Sequence, residues 1–180
     1  MSNDNEFLFA EYAKPIANHG KNRRMRLLLI SLYILFAIGY AAFFVAITVP
    51  QVIALLPLFV WMLVFFTWGT VNYECCVRVA SGKVSLLKVR GKKEKELFSF
   101  GAKELLYALP MNEAGKEQIS KESFTTKIDF RADIAKEGYA AVLSNDSGLT
   151  LILFECTVAV ATAMRYYNKK VIVDKDFLPV

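Results

Sequence analysis

From Leu27 to Thr70 the chain carries no charged side chain, reading LLLISLYILFAIGYAAFFVAITVPQVIALLPLFVWMLVFFTWGT. A membrane-crossing helix needs about 20 apolar residues, so this stretch of 44 is too long for one crossing and suits two. Only Thr48–Gln51 interrupts it, and Pro50 there lacks a backbone donor and pushes the preceding residue out of helical geometry. The pattern predicts a helical hairpin, Leu27–Ile47 and Val52–Gly69, with a very short turn. At 1.5 Å per residue the helices measure about 31 and 27 Å, near the hydrocarbon thickness of about 30 Å. A buried pair in a soluble protein would carry a polar stripe, and these two carry almost none. Their apolar length also exceeds the core of a cleavable signal peptide.

Within the hairpin, Pro57 predicts a kink in the second helix. Ala37 with Ala41, and Ala42 with Ala46, have the small-x-x-x-small spacing that lets helices approach closely. Trp68 and Tyr73 stand where an aromatic belt would mark an interface. Neither span holds Asp, Glu, Lys, Arg or His, the residues that mark ion paths and proton relays, so the pair reads as an anchor.

Residues 1–26 begin polar and end basic, with Lys21, Arg23, Arg24 and Arg26 directly before the first span. Arg78, Lys83, Lys88, Arg90, Lys92, Lys93 and Lys95 follow the second, while the connecting turn has no charge. Lys and Arg beside a span are retained in the cytoplasm, so a multi-pass protein of the cell (inner) membrane with both termini cytoplasmic is expected. Phe7, Leu8, Phe9 and Tyr12 would make an apolar patch on a short helix. Two placements are open for them, at the lipid headgroups or packed on the soluble domain. The net charge of +5 divides into +2 for residues 1–26 and +3 for 71–180, too mild a balance to point to nucleic acid.

Residues 71–180 are long enough for one soluble domain. Val71–Val79 alternates, Val71, Tyr73, Cys75, Val77 and Val79 on one face and Asn72, Glu74, Cys76 and Arg78 on the other, as a half-buried strand does. Ser81-Gly82 predicts a turn, Lys83–Arg90 a strand, Gly91-Lys92-Lys93 a turn and Lys95–Phe100 a third strand, which together make a meander. Gly101–Leu109 suits a helical turn or a short strand, and Pro110–Ser120 reads as a polar loop. Phe124–Phe130 alternates again, and Tyr139–Leu143 and Leu149–Phe154 flank a hairpin turn at Asn145-Asp146-Ser147-Gly148. Thr157–Lys170 predicts a terminal helix, capped by Thr157, with a row through Val158, Ala161, Met164 (or Arg165) and Asn168. Val171–Val180 reads as a strand or tail.

Chemistry-bearing groups are sparse. Cys75 and Cys76 are adjacent and would point to opposite faces of a strand, Cys156 stands far off, and His19 is the one histidine, so no metal site is expected. Free thiols suit a reducing compartment. No nucleophile elbow, Walker loop, zincin or dinucleotide motif occurs. Cys156 and His19 lie on opposite sides of the hairpin in sequence, and Asp129 and Asp133 need not converge. No catalytic residue and no cofactor is expected.

Two spans, a Tyr-Glu strand, a small-residue turn, a strand ending in Gly-Lys-Lys, a meander and one C-terminal helix resemble bacterial pleckstrin-homology-like membrane proteins. The likeness is to an uncharacterised family from Gram-positive bacteria, in which a hairpin precedes a Y-E segment and a Gly-Lys-Lys-Lys/Arg-like turn. Tyr73-Glu74 and Gly91-Lys92-Lys93-Glu94-Lys95 match these, while Cys75-Cys76 stands where that family has a further aromatic or charged residue. The resemblance implies an α+β soluble domain, a curled antiparallel sheet capped by a C-terminal helix, and it implies no enzymatic activity.

The feature most like a site is Lys88, Arg90, Lys92, Lys93 and Lys95. Pleckstrin-homology domains that bind phosphoinositides clamp the headgroup with basic residues at an early strand turn, and this cluster is similar. Bacterial membranes offer phosphatidylglycerol and cardiolipin instead. Each cation near an anionic surface contributes about 1 kcal/mol. The bland alternative is a solvated turn, basic only through the bias that orients the spans, with Glu94 and Glu96 diluting the cluster. Two functions follow. One is a non-enzymatic anchored domain binding anionic lipid headgroups or a protein partner at the inner leaflet. The other is an accessory subunit whose hairpin packs into a membrane complex or against a second copy.

Overall fold

The structure, a computed structural model, describes residues 9–18, 20–145 and 148–174. Phe7, Leu8, His19, Asp146, Ser147 and residues 175–180 lie outside them, as does the side chain of Lys21. The chain divides into two bodies, residues 16–73 and a second comprising residues 1–15 with 74–180.

The first body is the hairpin. Helix α1 (Gly20–Ala46) is followed by a 3-10 helix over Pro50–Leu55, helix α2 (Leu56–Thr67) and a short 3-10 turn at Trp68–Thr70. The segments Asn22–Ala46 and Gln51–Thr70 are each long and apolar enough to cross a membrane, and only 6% of either apolar window is buried. Core helices of soluble proteins are mostly buried, so this exposure favours lipid as the surroundings. Pro57, where a kink was expected, stands just after the change from 3-10 to α geometry. It sits in the first turn, where its missing N–H would have no partner in any case. The departure from α geometry lies upstream, in the 3-10 segment that starts at Pro50.

The hydroxyls of Tyr33, Tyr40 and Thr67 find partners inside the hairpin, as hydrocarbon surroundings demand. The Thr67 hydroxyl donates to the Leu63 carbonyl and accepts from the Tyr33 hydroxyl, tying α2 to α1. Tyr40 donates to the Val52 carbonyl at 3.1 Å, and its ring lies 4.7 Å from Phe44 and 5.7 Å from Phe59. Ala37 and Ala41 are half-buried along with Tyr40, whereas Ala42 and Ala46 are exposed, so only the first small-residue pair lies on a packed face. At the base, the Arg26 guanidinium donates to the Val71 carbonyl and the Ile16 amide to the Tyr73 carbonyl.

The second body holds two four-stranded sheets. The first has the order β1-β2-β3-β4, from Phe9–Pro15, Glu74–Ala80, Lys83–Arg90 and Lys93–Gly101, all antiparallel. Phe9 and Tyr12 therefore belong to a strand, not a helix. Ala10, Tyr12 and Lys14 stand opposite Val79, Val77 and Cys75, which completes the sheet from the far side of the hairpin in sequence. The Ser81-Gly82 turn has positive φ at both residues (50° and 80°), the geometry that matches the twist of a two-residue hairpin. Gly91 at φ 57° opens the second hairpin turn, and Lys93 already lies in β4.

The second sheet has the order β5-β7-β8-β6, from Leu105–Pro110, Tyr139–Asn145, Gly148–Phe154 and Thr126–Asp129. A 3-10 turn at Ala102–Glu104 precedes β5, so the ambiguous Gly101–Leu109 stretch holds both a helical turn and a strand. β6 runs parallel to β8, a departure from the wholly antiparallel sheet that the resemblance implied. Pro110–Ser120 is not a loop throughout. Asn112 accepts the Gly115 amide and caps helix α3 (Glu113–Ser120). Ile119 of α3 joins Leu109, Ala140, Val142 and Leu151 in one buried cluster. Tyr139, Ala141 and Leu143 alternate onto the other face, and all three are buried, so this sheet is covered on both sides.

Helix α4 (Val158–Tyr167) packs on β1 and β2 through a face that buries Val160, Ala161, Ala163 and Met164. Thr157 is extended at its N-cap but makes no side-chain cap bond. Val171 is buried and bridges to Ala108 in β5.

Candidate functional site: a cationic sheet face

The register of β3 and β4 decides what the basic cluster can do. Lys88 stands directly opposite Lys95, and Arg90 opposite Lys93. Residues two apart on a strand share a face, so these four cations occupy one face at the Gly91 end of the hairpin. Farther along the same face, Leu86 stands opposite Phe98 and Val84 opposite Phe100, and the surface turns apolar. The register shift at Leu86/Leu87 separates the two halves, leaving the cationic half regular. Lys92 occupies the turn itself and is exposed.

Glu94 and Glu96 stand opposite Val89 and Leu87, on the other face, so they do not dilute the cations. There they build a separate polar ladder. Arg78 binds Glu94 at 2.8 Å and Glu11 at 3.0 Å, and Glu96 accepts from Lys83, Ser85 and Ser99. Hydrogen bonds from Arg78 hold the Glu11 and Glu94 carboxyls below the usual carboxylate range. On the cationic face the sense is opposite. Partial burial and the like charges of Lys95 and Arg90 hold the Lys88 ammonium below the usual lysine range, with Cys75 pulling the other way.

The other residues singled out in the sequence have structural duties. Asp129 pairs with Arg131 at 2.7 Å. Asp133 is buried, its carboxylate accepts the Ala135 amide, and its own amide donates to Glu155 at 2.7 Å. Glu155, just 3% exposed, also receives Lys14 of β1 at 2.6 Å. Desolvation works against the Lys14 ammonium, yet its hydrogen bond to Glu155 leaves it above the usual lysine range. Lone carboxylates among apolar residues gave no sequence signal for this buried pair, which forms across 141 positions.

All three cysteines are buried and free. Burial pushes the Cys75 thiol up to about 11 and, with the Glu11 hydrogen bond, the Cys76 thiol to about 12, while burial alone raises Cys156. The cluster Lys21, Arg23, Arg24 and Arg26 forms the first two turns of α1 rather than preceding it, with Arg23 and Arg24 exposed. Cations oppose the helix dipole at this end, so helix stability does not explain their position.

Two membrane-type helices followed by a two-sheet, mainly antiparallel domain with a C-terminal helix define a PH-like protein whose apolar helices fit a membrane anchor. Residues 6–174 match the family described as bacterial PH-like domain (DUF6106), and the chain belongs to that family. The match takes in β1, both spans and the soluble domain together. No match was found among the curated proteins or among the solved structures.

Proposed function

We propose that the protein is a non-enzymatic, membrane-anchored module whose PH-like domain binds anionic lipid headgroups on the cytoplasmic side. The observation that carries this reading is the pairing of Lys88 with Lys95 and Arg90 with Lys93 on one face, with Glu94 and Glu96 turned to the other. Weak contacts suffice, because an anchored domain meets the bilayer at an effective concentration of about millimolar. Four or five cations contribute about 1 kcal/mol each near an anionic leaflet.

Cytoplasmic orientation is supported by two things. The basic residues cluster before the first span and after the second. β1 and β2, which flank the hairpin in sequence, are neighbours in one sheet, as two crossings would leave them. A single reporter thiol tests the orientation. With Lys103, an exposed residue, changed to Cys, an impermeant maleimide is expected to label only after permeabilisation. The native thiols stay silent in both conditions because they are buried. Labelling of K103C on intact cells would reverse the orientation.

Lipid binding is tested with the full chain in nanodiscs of neutral lipid, with and without about one-third phosphatidylglycerol. Cross-linking of the β3–β4 hairpin to headgroups is expected only in the anionic discs. Replacing Lys92 and Lys93 by Glu is expected to lower it about 30-fold or more, from about 1 kcal/mol for each of the two cations removed. Equal cross-linking in neutral discs, or no effect of K92E/K93E, sinks the reading.

A further inference from the structure

The loop between β6 and β7 carries an apolar tip that the core does not use. Asp133–Lys136 makes a β-turn closed by the Lys136 amide on the Asp133 carbonyl, and the Asp133 carboxylate accepts the Ala135 amide at 2.9 Å. The two central positions, which turn chemistry usually gives to Gly, Asn, Asp or Pro, hold Ile134 and Ala135. Both are exposed, Ile134 at 64%. The turn is pinned from two sides. Arg131 donates to the Lys136 carbonyl at 3.1 Å, and the Asp133 amide donates to Glu155, which also receives Lys14.

That last link decides where the tip stands. Lys14, Cys75, Lys88 and Lys95 form one row across β1 to β4, on a single face of the sheet. Glu155 joins the first member of this row to the Asp133 amide, so the apolar turn belongs to the same end of the sheet as the cationic face. β1 stops one residue beyond Lys14, at Pro15, and from there the chain continues into the spans. Glu137, the exposed carboxylate nearest to the turn along the chain, is paired with Lys116. A lone exposed isoleucine is ordinary on a protein surface. A pinned turn with two apolar residues at its centre, next to clustered cations, has the make-up of a surface that enters a headgroup layer. Charge draws it to the leaflet, and the apolar side chain gains by leaving water.

We infer that Ile134 inserts among the lipid headgroups beside the cationic hairpin, so that the β6–β7 turn is a second membrane contact of the domain. This rests on the reading above that the domain meets the bilayer, and adds an apolar contact to the electrostatic one.

The test puts an environment-sensitive fluorophore on Ile134→Cys in the full-length protein, in the neutral and anionic nanodiscs already described. The native thiols are buried and take no label. The control label is on K103C, at the opposite end of the sheet beyond the Lys83–Gly101 row. In anionic discs the label at 134 is expected to shift to the blue and to be quenched by lipid spin-labelled near the top of its acyl chains, and the label at 103 to do neither. Ile134→Ser is expected to lower cross-linking of the β3–β4 hairpin to headgroups about tenfold, the low end of what burying one aliphatic side chain contributes. Ile134→Leu is expected to keep it. Both variants are expected to melt at the parent temperature, because the side chain lies outside the core.

A label at 134 that stays unshifted and is quenched no more than the one at 103, or full cross-linking in I134S, overturns the insertion. If K92E/K93E still lowers cross-linking, the electrostatic reading stands without it. Quenching at 134 that is equal in neutral discs and untouched by K92E/K93E keeps the inserted turn and overturns the anionic reading.

Discussion

A chain beginning at residue 16 is expected to lose its soluble domain, whereas one in which residues 16–73 are replaced by a short glycine-containing turn is expected to fold and stay in solution. Seven residues of β1 pair with β2, and α4 packs on both strands. Removing β1 opens the edge of β2 beside Cys76, Val77 and Val79, all buried in the intact domain. It also strands Glu155, whose buried carboxylate takes its charge partner from Lys14. Breaking such a pair costs about 3–5 kcal/mol, and lost strand burial adds to that, against a total stability of about 5–15 kcal/mol. Excision of the hairpin removes none of these contacts. Pro15 and Glu74 are register partners, about 5 Å apart as paired strands are, so a tight turn can join them. Urea unfolding of the excised chain is expected to be a single cooperative transition. Within it, Lys14→Met is expected to lose about 3 kcal/mol, most of which returns when Glu155→Gln removes the orphaned charge but keeps an acceptor for the Asp133 amide. A chain of residues 74–180 that melts at the same temperature as the excised form would show that β1 is dispensable.

Gly115→Ala is expected to destabilise the domain by about 2–4 kcal/mol, the reverse of what the same change does in an exposed helix, where it gains about 1 kcal/mol. A Cβ at Gly115 would lie 2.1 Å from the Pro110 carbonyl oxygen and 2.7 Å from Leu109 Cδ1. Backbone cannot yield as a flexible side chain can, so α3 has to lift from β5. Ile119 then leaves the cluster it forms with Leu109, Ala140, Val142 and Leu151. Thermal melting of the full-length protein in detergent, with hydrogen exchange of β5 and β7, checks this. Faster exchange confined to α3 and its neighbours is expected, and a raised melting temperature would contradict the close approach.

Both predictions fall where local pattern misled. Pro110–Ser120 reads as a loop because its polar residues and Gly115 lack a helical stripe, and one buried Ile119 is too little periodicity to detect. Asn112 was the available signal, a good N-cap one residue before Glu113. Phe9–Pro15 offered no decision between headgroups and domain, because its pairing partner lies beyond the hairpin. The basic cluster was visible as composition, but composition counted Glu94 and Glu96 against it. Strand parity removes them to the other face, where Arg78 and Lys83 engage them.

What the sequence determined by itself is whatever depends on neighbours along the chain. The charge-free stretch dictates two spans, alternation dictates β2 and β3, and Ser81-Gly82 dictates the turn between them. Tertiary structure alone decided the β1 edge, the parallel seat of β6 on β8, the Lys14–Glu155 pair and which charges share a face. The reason is physical: hydrophobic period and turn geometry act within a few residues. Strand partners and buried charge partners are chosen by closure of a core, across separations on which local order carries no information.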